Sequence, residues 1–113
     1  MVESIKVHVY PVRDLEQAKV VFSAGLGIEP YVDTPYYVGY QVGDQEVGLD
    51  PNGHQQGVTQ PIDYWEVPDI KVSLQALVDA GAQVHDDVKD VGGGKLRAIV
   101  KDGDGNLIGL LQS

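Results

Sequence analysis

Apolar and polar residues alternate over residues 5–12, where β-branched residues are frequent, and this pattern predicts a β-strand. Apolar residues then recur at helical spacing over residues 15–26, directly after Asp14, which has the side chain of a good N-cap. Three short strands, bounded by turn residues, are predicted near residues 29–33, 36–42 and 45–50. Residues 4–50 therefore form a predicted βαβββ module.

The same order of elements returns over residues 61–111. A strand over residues 62–67 precedes a helix capped by Asp69. Three further strands are predicted near residues 83–86, 95–101 and 106–111. Residues 51–60, between the two modules, are polar and rich in Gly, Asn and Gln, which is typical of a linker. Because this linker is too short for an independent hinge, we expect one domain over residues 1–113.

Two tandem βαβββ modules contain eight strands and two helices, and they predict an α+β fold. We expect the strands to form one curled, mixed eight-stranded sheet around a cleft, with the helices on its outer face. A chain of 113 residues is long enough to bury a single core without disulfides.

The composition excludes several classes of partner. The chain has 8 basic and 17 acidic residues, a formal charge of −9, so it should repel nucleic acids and anionic membranes. No run of apolar residues is long enough to span a membrane. The absence of cysteine excludes disulfides and thiolate chemistry. The amino terminus has no signal-peptide pattern, and we therefore expect a cytoplasmic protein.

Short motifs follow one another in a fixed order through the two modules. They are Val12-x-Asp14-Leu15, Ala18-x-x-Val21-Phe22-x-x-x-Leu26-Gly27, Val67-x-Asp69-Ile70, Ala80-Gly81-Ala82 and the closing Asp102-Gly103-Asp104-Gly105-Asn106 turn, followed by Leu107-Ile108-Gly109-Leu110. In this order they resemble the vicinal oxygen chelate superfamily, the group of glyoxalases, bleomycin-resistance proteins and extradiol dioxygenases. The resemblance covers nearly the whole chain and implies the same fold.

The resemblance also implies four metal-ligand positions, one on the opening strand and one on the closing strand of each module. In this sequence these positions hold Val7, Gly48, Ile62 and Gly109. None of these side chains can coordinate a metal, so we expect no metal and no other cofactor. A register shift of one residue would recover only His8 and Asp63, which are otherwise expected to be a structural or surface polar pair. If the register is wrong in this way, a metal-dependent lyase or dioxygenase stays open.

Replacement of the ligands by Val, Ile and Gly predicts an apolar and roomy inner surface, and strand alternation places Glu66 on it. A tyrosine-rich meander would form one wall. The predicted ligand-binding residues are Val7, Val9, Tyr36, Tyr37, Tyr40, Gly48, Ile62, Tyr64, Glu66, Gly109 and Leu111. Such a cleft suits a planar or aromatic small molecule, with a carboxylate to balance a cationic group. The same tyrosines would also suit a closed core or a dimer interface.

Three classes of function follow from this pattern. The first, which we favour, is a metal-free protein of the bleomycin-resistance kind that binds an aromatic or amphipathic small molecule. The second is a glyoxalase- or lyase-type enzyme in which Glu66 is the general base. The third is a scaffold whose modules mainly support self-association. A homodimer is expected under all three, so the sequence leaves enzymatic activity open.

Overall fold

The computed structural model describes residues 2–113. The first module contains β1 (Ser4–Pro11), α1 (Leu15–Leu26), β2 (Val32–Asp33), β3 (Val38–Val42) and β4 (Gln45–Asp50). The second contains β5 (Ile62–Glu66), α2 (Ile70–Asp79), β6 (Gln83–Asp90), β7 (Leu96–Lys101) and β8 (Leu107–Gln112). A short 3₁₀ helix, His54–Gln56, lies between the modules. Across residues 2–113, no helix is both long enough and apolar enough to cross a membrane.

The strands hydrogen-bond in the order β2-β3-β4-β1-β5-β8-β7-β6. In each module the opening strand pairs in parallel with the closing strand, β1 with β4 and β5 with β8. The other pairs, β2 with β3, β3 with β4, β6 with β7 and β7 with β8, are antiparallel. The prediction of an α+β fold with two βαβββ modules and a mixed eight-stranded sheet is confirmed.

The chain divides into two compact units, and β1 contributes residues to both. The N-terminal unit is Val7–Ile62, and the C-terminal unit is Asp63–Ser113 together with the residues up to Lys6. The predicted linker over residues 51–60 therefore belongs to the N-terminal unit. Its Gly53 is buried, and a Cβ there would lie 2.8 Å from Cβ of Pro11, so the segment packs tightly on the end of β1.

In the N-terminal unit, α1 begins and ends where the sequence predicts. The side chain of Asp14 accepts a hydrogen bond from the backbone N–H of Gln17 at 3.1 Å, which satisfies a free donor of the first turn. Gly27 ends the helix with φ of 73°, and its N–H donates to the carbonyl of Ser23 at 2.9 Å. The apolar side of α1 packs on a buried cluster of Val38, Tyr40 and Leu49.

In the C-terminal unit, α2 is built in the same way. The carboxylate of Asp69 accepts from the N–H groups of both Lys71 and Val72. The N–H of Ile70 donates to the side-chain oxygen of Gln112 at 2.8 Å, which fixes the start of the helix to the end of β8. The core beneath α2 consists of Val67, Ile70, Ala98 and Leu110.

Two strands differ clearly from their predictions. β2 covers only Val32–Asp33 of the predicted residues 29–33. β6 runs over Gln83–Asp90, four residues beyond the predicted end at 86. Its pairing with β7 contains register shifts between Val84 and Asp86 and between Asp86 and Lys89. These irregularities interrupt the apolar–polar alternation, which is the only signal by which the sequence could have extended the strand.

Candidate functional site

One face of the N-terminal sheet brings a carboxylate and two tyrosines together. Alternation places Val38, Tyr40 and Leu49 against α1, so the residues between them face the other way. We call this opposite surface the tyrosine face. It comprises Val7, Val9, Tyr31, Tyr37, Gly39, Glu46 and Gly48. Across the strands, Val9 pairs with Gly48 and Gly48 pairs with Gly39, while Val7 pairs with Glu46.

The Glu46 carboxylate is held by two phenol groups. The hydroxyl of Tyr31 donates to Oε1, and the hydroxyl of Tyr37 donates to Oε2. The hydrogen bond to Glu46, with smaller effects of burial and of the carboxylate charge, raises the pKa of Tyr31 to about 12. The hydroxyl groups of Tyr31 and Tyr37 therefore both donate to the carboxylate of Glu46. Because its pKa is raised, the Tyr31 phenol is neutral at ordinary pH.

Two glycines let the tyrosine rings lie flat on the sheet. A Cβ on Gly39 would lie 3.2 Å from Cε2 of Tyr37 and 3.4 Å from Cε1 of Tyr31. A Cβ on Gly48 would lie only 2.1 Å from the Tyr37 hydroxyl oxygen, a distance that no real Cβ tolerates. The Tyr37 ring thus covers Gly48, and Gly39 lies where Tyr31, Tyr37 and Glu46 meet.

The C-terminal unit repeats this arrangement at the equivalent position. Tyr64 on β5 is the direct cross-strand partner of Gly109 on β8. A Cβ on Gly109 would lie 2.4 Å from Cδ1 and 2.8 Å from Cγ of Tyr64, whose side chain is only 7% exposed. Each closing strand therefore has a glycine beneath a tyrosine ring.

Glu66 and Leu111 lie on the same face of β5 and β8 as Tyr64, since Glu66 pairs with Leu111 and side chains alternate along each strand. Glu66 is half-buried, and its Oε1 accepts from the hydroxyl of Ser113 at 2.7 Å. Trp65 points to the opposite side and packs on the core under α2, as its parity predicts. The structure thus brings Tyr64, Glu66, Gly109 and Leu111 together.

Two of the predicted wall residues lie elsewhere. Tyr40 is 0% exposed and packs against α1, where its hydroxyl contacts the hydroxyl of Ser23 at 2.8 Å. Its placement in the same wall as Tyr37 was wrong, because residues three apart on an extended segment face opposite sides. Tyr36 is 75% exposed, in the turn before β3. The wall instead consists of Tyr37 and Tyr31, and the hydrogen bonds from both tyrosines to Glu46 were missed from sequence.

The prediction of free volume at the glycine positions was also wrong. Gly48 and Gly109 are buried, and the volume that a side chain would occupy there is filled by Tyr37 and Tyr64. Ile62, which was predicted to line the same surface, is 2% exposed.

Comparisons with known proteins place this architecture among solved structures. No protein-family model matches the sequence, and no curated protein sequence matches it either. The structure of a glyoxalase/bleomycin resistance protein/dioxygenase superfamily member from Vibrio splendidus 12B01 has a TM-score of 0.74 at 18% identity, and the match covers 97% of this chain and 100% of that one. A methylmalonyl-CoA epimerase variant (S115T) from Streptomyces coelicolor, in complex with 2-nitronate-propionyl-CoA, has a TM-score of 0.73 at 15% identity, covering 100% and 96%.

The methylmalonyl-CoA epimerase from Mycobacterium tuberculosis has a TM-score of 0.69 at 14% identity, with coverage of 98% and 88%. These neighbours are members of the vicinal oxygen chelate superfamily. This chain has the vicinal oxygen chelate fold. At these identities the likeness concerns the fold alone.

The side chains present do not fit the metal site that the vicinal oxygen chelate fold implies. Its four ligand positions hold Val7, Gly48, Ile62 and Gly109, which offer no side-chain donor. Within residues 2–113, no three His, Asp or Glu side chains are grouped closely enough to hold a metal ion. His8, the residue that a register shift would recover, is the register partner of Val47 and contacts Oε1 of Gln45 at 2.6 Å. Its predicted pairing with Asp63 stays a prediction.

Proposed function

We propose that this protein is a metal-free small-molecule binding protein on the vicinal oxygen chelate fold. The observation that carries the proposal is the repeated Tyr–Gly pair, Tyr37 over Gly48 and Tyr64 over Gly109. A tyrosine ring stands at each closing-strand position where the resemblance implies a metal-ligating carboxylate. An aromatic ring there contributes flat apolar surface and a hydroxyl group, which are features of a binding site for organic molecules.

The tyrosine face offers the contacts for such a ligand. Tyr31 is 57% exposed, so one side of its ring is open to solvent, and Tyr37 and Glu46 are half-buried. Val7 and Val9 add half-buried apolar surface beside them. This combination supports an aromatic or amphipathic ligand that stacks on the rings. The Streptomyces epimerase neighbour holds a CoA-derived ligand, and from it we carry over only the capacity of the fold to hold a small organic molecule.

Calorimetric titration tests this proposal. Protein purified without chelator, protein dialysed against EDTA and protein resupplied with Mn²⁺ or Zn²⁺ are each titrated with a panel of small aromatic molecules, and the metal content of the first sample is measured by elemental analysis. We expect the same affinities in all three samples and a metal content far below one ion per chain. A stoichiometric divalent ion, or binding that EDTA abolishes and Mn²⁺ restores, would show that the metal-dependent alternative is correct.

A second candidate is an enzyme of the glyoxalase or lyase type with Glu66 as general base. It is favoured by the position of this half-buried carboxylate beside Tyr64 and Leu111 on one face of the sheet. Turnover of small carbonyl or thioester substrates that Glu66→Gln abolishes, with binding retained, would establish this role. Turnover that survives Glu66→Gln removes it. The predicted homodimer is independent of both candidates, and light scattering measures it directly.

A further inference from the structure

We infer that the tyrosine face selects ligands that carry an organic ammonium group, which sits on the Tyr31 and Tyr37 rings beside the Glu46 carboxylate. This inference rests on the proposed binding function and narrows it to one chemical class of ligand. It also gives Glu46 a role in ligand binding. The resemblance to metal-dependent proteins implies no role for this residue.

The cluster of Tyr31, Tyr37 and Glu46 attracts a cation by its charge. Glu46 accepts hydrogen bonds from two neutral phenols, and within residues 2–113 no Lys or Arg forms a salt bridge with it. The cluster therefore carries a net negative charge at a half-buried position. Water screens a charge less effectively there than at an open surface, so a cation beside it is bound more strongly. The formal charge of −9 on the whole chain adds a field that attracts cations and repels anions.

The rings of Tyr31 and Tyr37 also attract a cation. A cation is attracted to the face of an aromatic ring by the negative charge of its π system. Donation of the phenol proton toward Glu46 increases the electron density on the oxygen and ring of Tyr31 and Tyr37. Tyr31 presents an open ring face, and Gly39 keeps the sheet beneath the two rings free of a side chain. The ammonium group would thus contact aromatic surface, which proteins use to recognise quaternary ammonium ligands, and would also lie near a carboxylate.

An inorganic cation fits this cluster poorly. Ca²⁺ takes six to eight oxygen ligands, and Mg²⁺ requires near-octahedral geometry with one or two free carboxylates among its ligands. Glu46 supplies one carboxylate, both of whose oxygens already accept a phenol hydrogen bond. Substituted ammonium ions need no such coordination shell, because much of their binding energy comes from contact with aromatic faces.

Three matched probes test the inference: benzyltrimethylammonium (cationic), benzyl alcohol (neutral) and phenylmethanesulfonate (anionic). Each is titrated into ¹⁵N-labelled protein, with the backbone amides of Gly39 and Gly48 as reporters of the tyrosine face. The variants are Glu46→Gln, which removes the charge and keeps the shape, and Tyr31→Leu, which removes an exposed ring. Glu29→Gln is the control, since Glu29 is an exposed glutamate of the same unit and its replacement changes the net charge equally.

We expect benzyltrimethylammonium to shift both glycine amides and to bind about tenfold more weakly to Glu46→Gln and to Tyr31→Leu than to the parent and to Glu29→Gln. Benzyl alcohol should bind more weakly than the cation, and its affinity should be the same for Glu46→Gln as for the parent. Equal binding of the cationic and neutral probes, with no effect of Glu46→Gln, overturns the ammonium preference and leaves the proposed binding function standing. If neither these probes nor the aromatic panel binds, both are overturned. If Glu46→Gln does not fold, the affinity of Tyr31→Leu for benzyltrimethylammonium still tests the inference.

Discussion

Replacement of Gly109 by alanine should destabilise the protein, because the ring of Tyr64 occupies the space that the methyl group needs. In Gly109→Ala, the new methyl group would lie 2.4–2.8 Å from three ring atoms of Tyr64, where ordinary contacts begin at 3.4 Å. These atoms belong to the inner part of a ring that is 7% exposed and fixed in a central strand, so the ring cannot simply swing away. Overpacking of this kind costs about 1–3 kcal/mol.

The equivalent change in the other unit should cost less. In Gly48→Ala, the clashing atoms are the hydroxyl oxygen and the outer ring atoms of Tyr37, and this half-buried side chain can rotate outward. The free energy of unfolding then falls mainly through loss of the hydrogen bond from Tyr37 to Glu46, which costs about 1–2 kcal/mol. Alanine offsets about 0.5–1 kcal/mol of this cost, because it restricts the conformations of the unfolded chain. Gly25→Ala is the control, since its Cβ would contact nothing within 4 Å and it lies within α1. It should stabilise the protein by about 0.5–1 kcal/mol.

Thermal and urea unfolding monitored by circular dichroism measure the three variants. For a domain of this size, about 1 kcal/mol corresponds to roughly 4 °C in Tm, so Gly109→Ala should melt about 4–12 °C below the parent. The loss should shrink in combination with Tyr64→Leu, because the clash then disappears and the two changes are coupled. If Gly109→Ala is as stable as Gly25→Ala, the ring does not lie on the glycine and the packing argument is refuted.

Three further predictions concern caps and pH. Asp69→Ala should cost about 1 kcal/mol in urea unfolding, because two N–H groups of α2 lose their acceptor. Since Glu46 raises the pKa of Tyr31 from 10.0 to about 12, this contribution to stability is complete below pH 10 and is lost as the pH rises through about 12. Absorbance at 295 nm should show phenol ionisation near this pH, and Tyr31→Phe should reduce its amplitude. The side chain of Asn106, assisted by backbone N–H groups, lowers the pKa of Asp102 from 3.8, so its contribution is present above pH 3.8 and is lost as the pH falls through the lower folded value. An NMR titration should show this pKa return toward 3.8 in Asn106→Ala.

Most of the fold could be predicted because its signals are local. Asp14 and Asp69 cap their helices by hydrogen bonds to residues two or three positions along the chain, and Gly27 ends α1 with a positive φ that favours glycine. Such contacts depend on sequence spacing alone. The repeat then fixes the order of elements, so that the strand pairing of one module predicts that of the other. The length of β6 escaped prediction because its pairing irregularities follow from neighbouring strands.

The site was predicted less completely because it depends on contacts between strands. Alternation correctly placed Val7, Val9 and Gly48 on one face. It failed for Tyr40, which was grouped with Tyr37 by residue type although the spacing of three puts the two rings on opposite faces. The hydrogen bond from Tyr31 to Glu46 joins residues fifteen positions apart and requires the register of β3 and β4, which no local pattern supplies.

A glycine in a strand can reflect the loss of a functional side chain, or it can provide space for the side chain of a neighbouring residue. From sequence, Gly48 and Gly109 indicated the former, because the resemblance implies a carboxylate at both positions. The structure supports the latter, since each glycine lies under a tyrosine ring that a single methyl group would displace. A glycine that merely lost its ligand would tolerate alanine, whereas one that accommodates a ring would not. The two units reach this packing with tyrosines from different strands, Tyr64 on β5 and Tyr37 before β3, so the repeat of the backbone alone does not account for it. The rings over Gly48 and Gly109, the two closing-strand positions at which the resemblance implies a carboxylate, are therefore the basis of the proposed binding function.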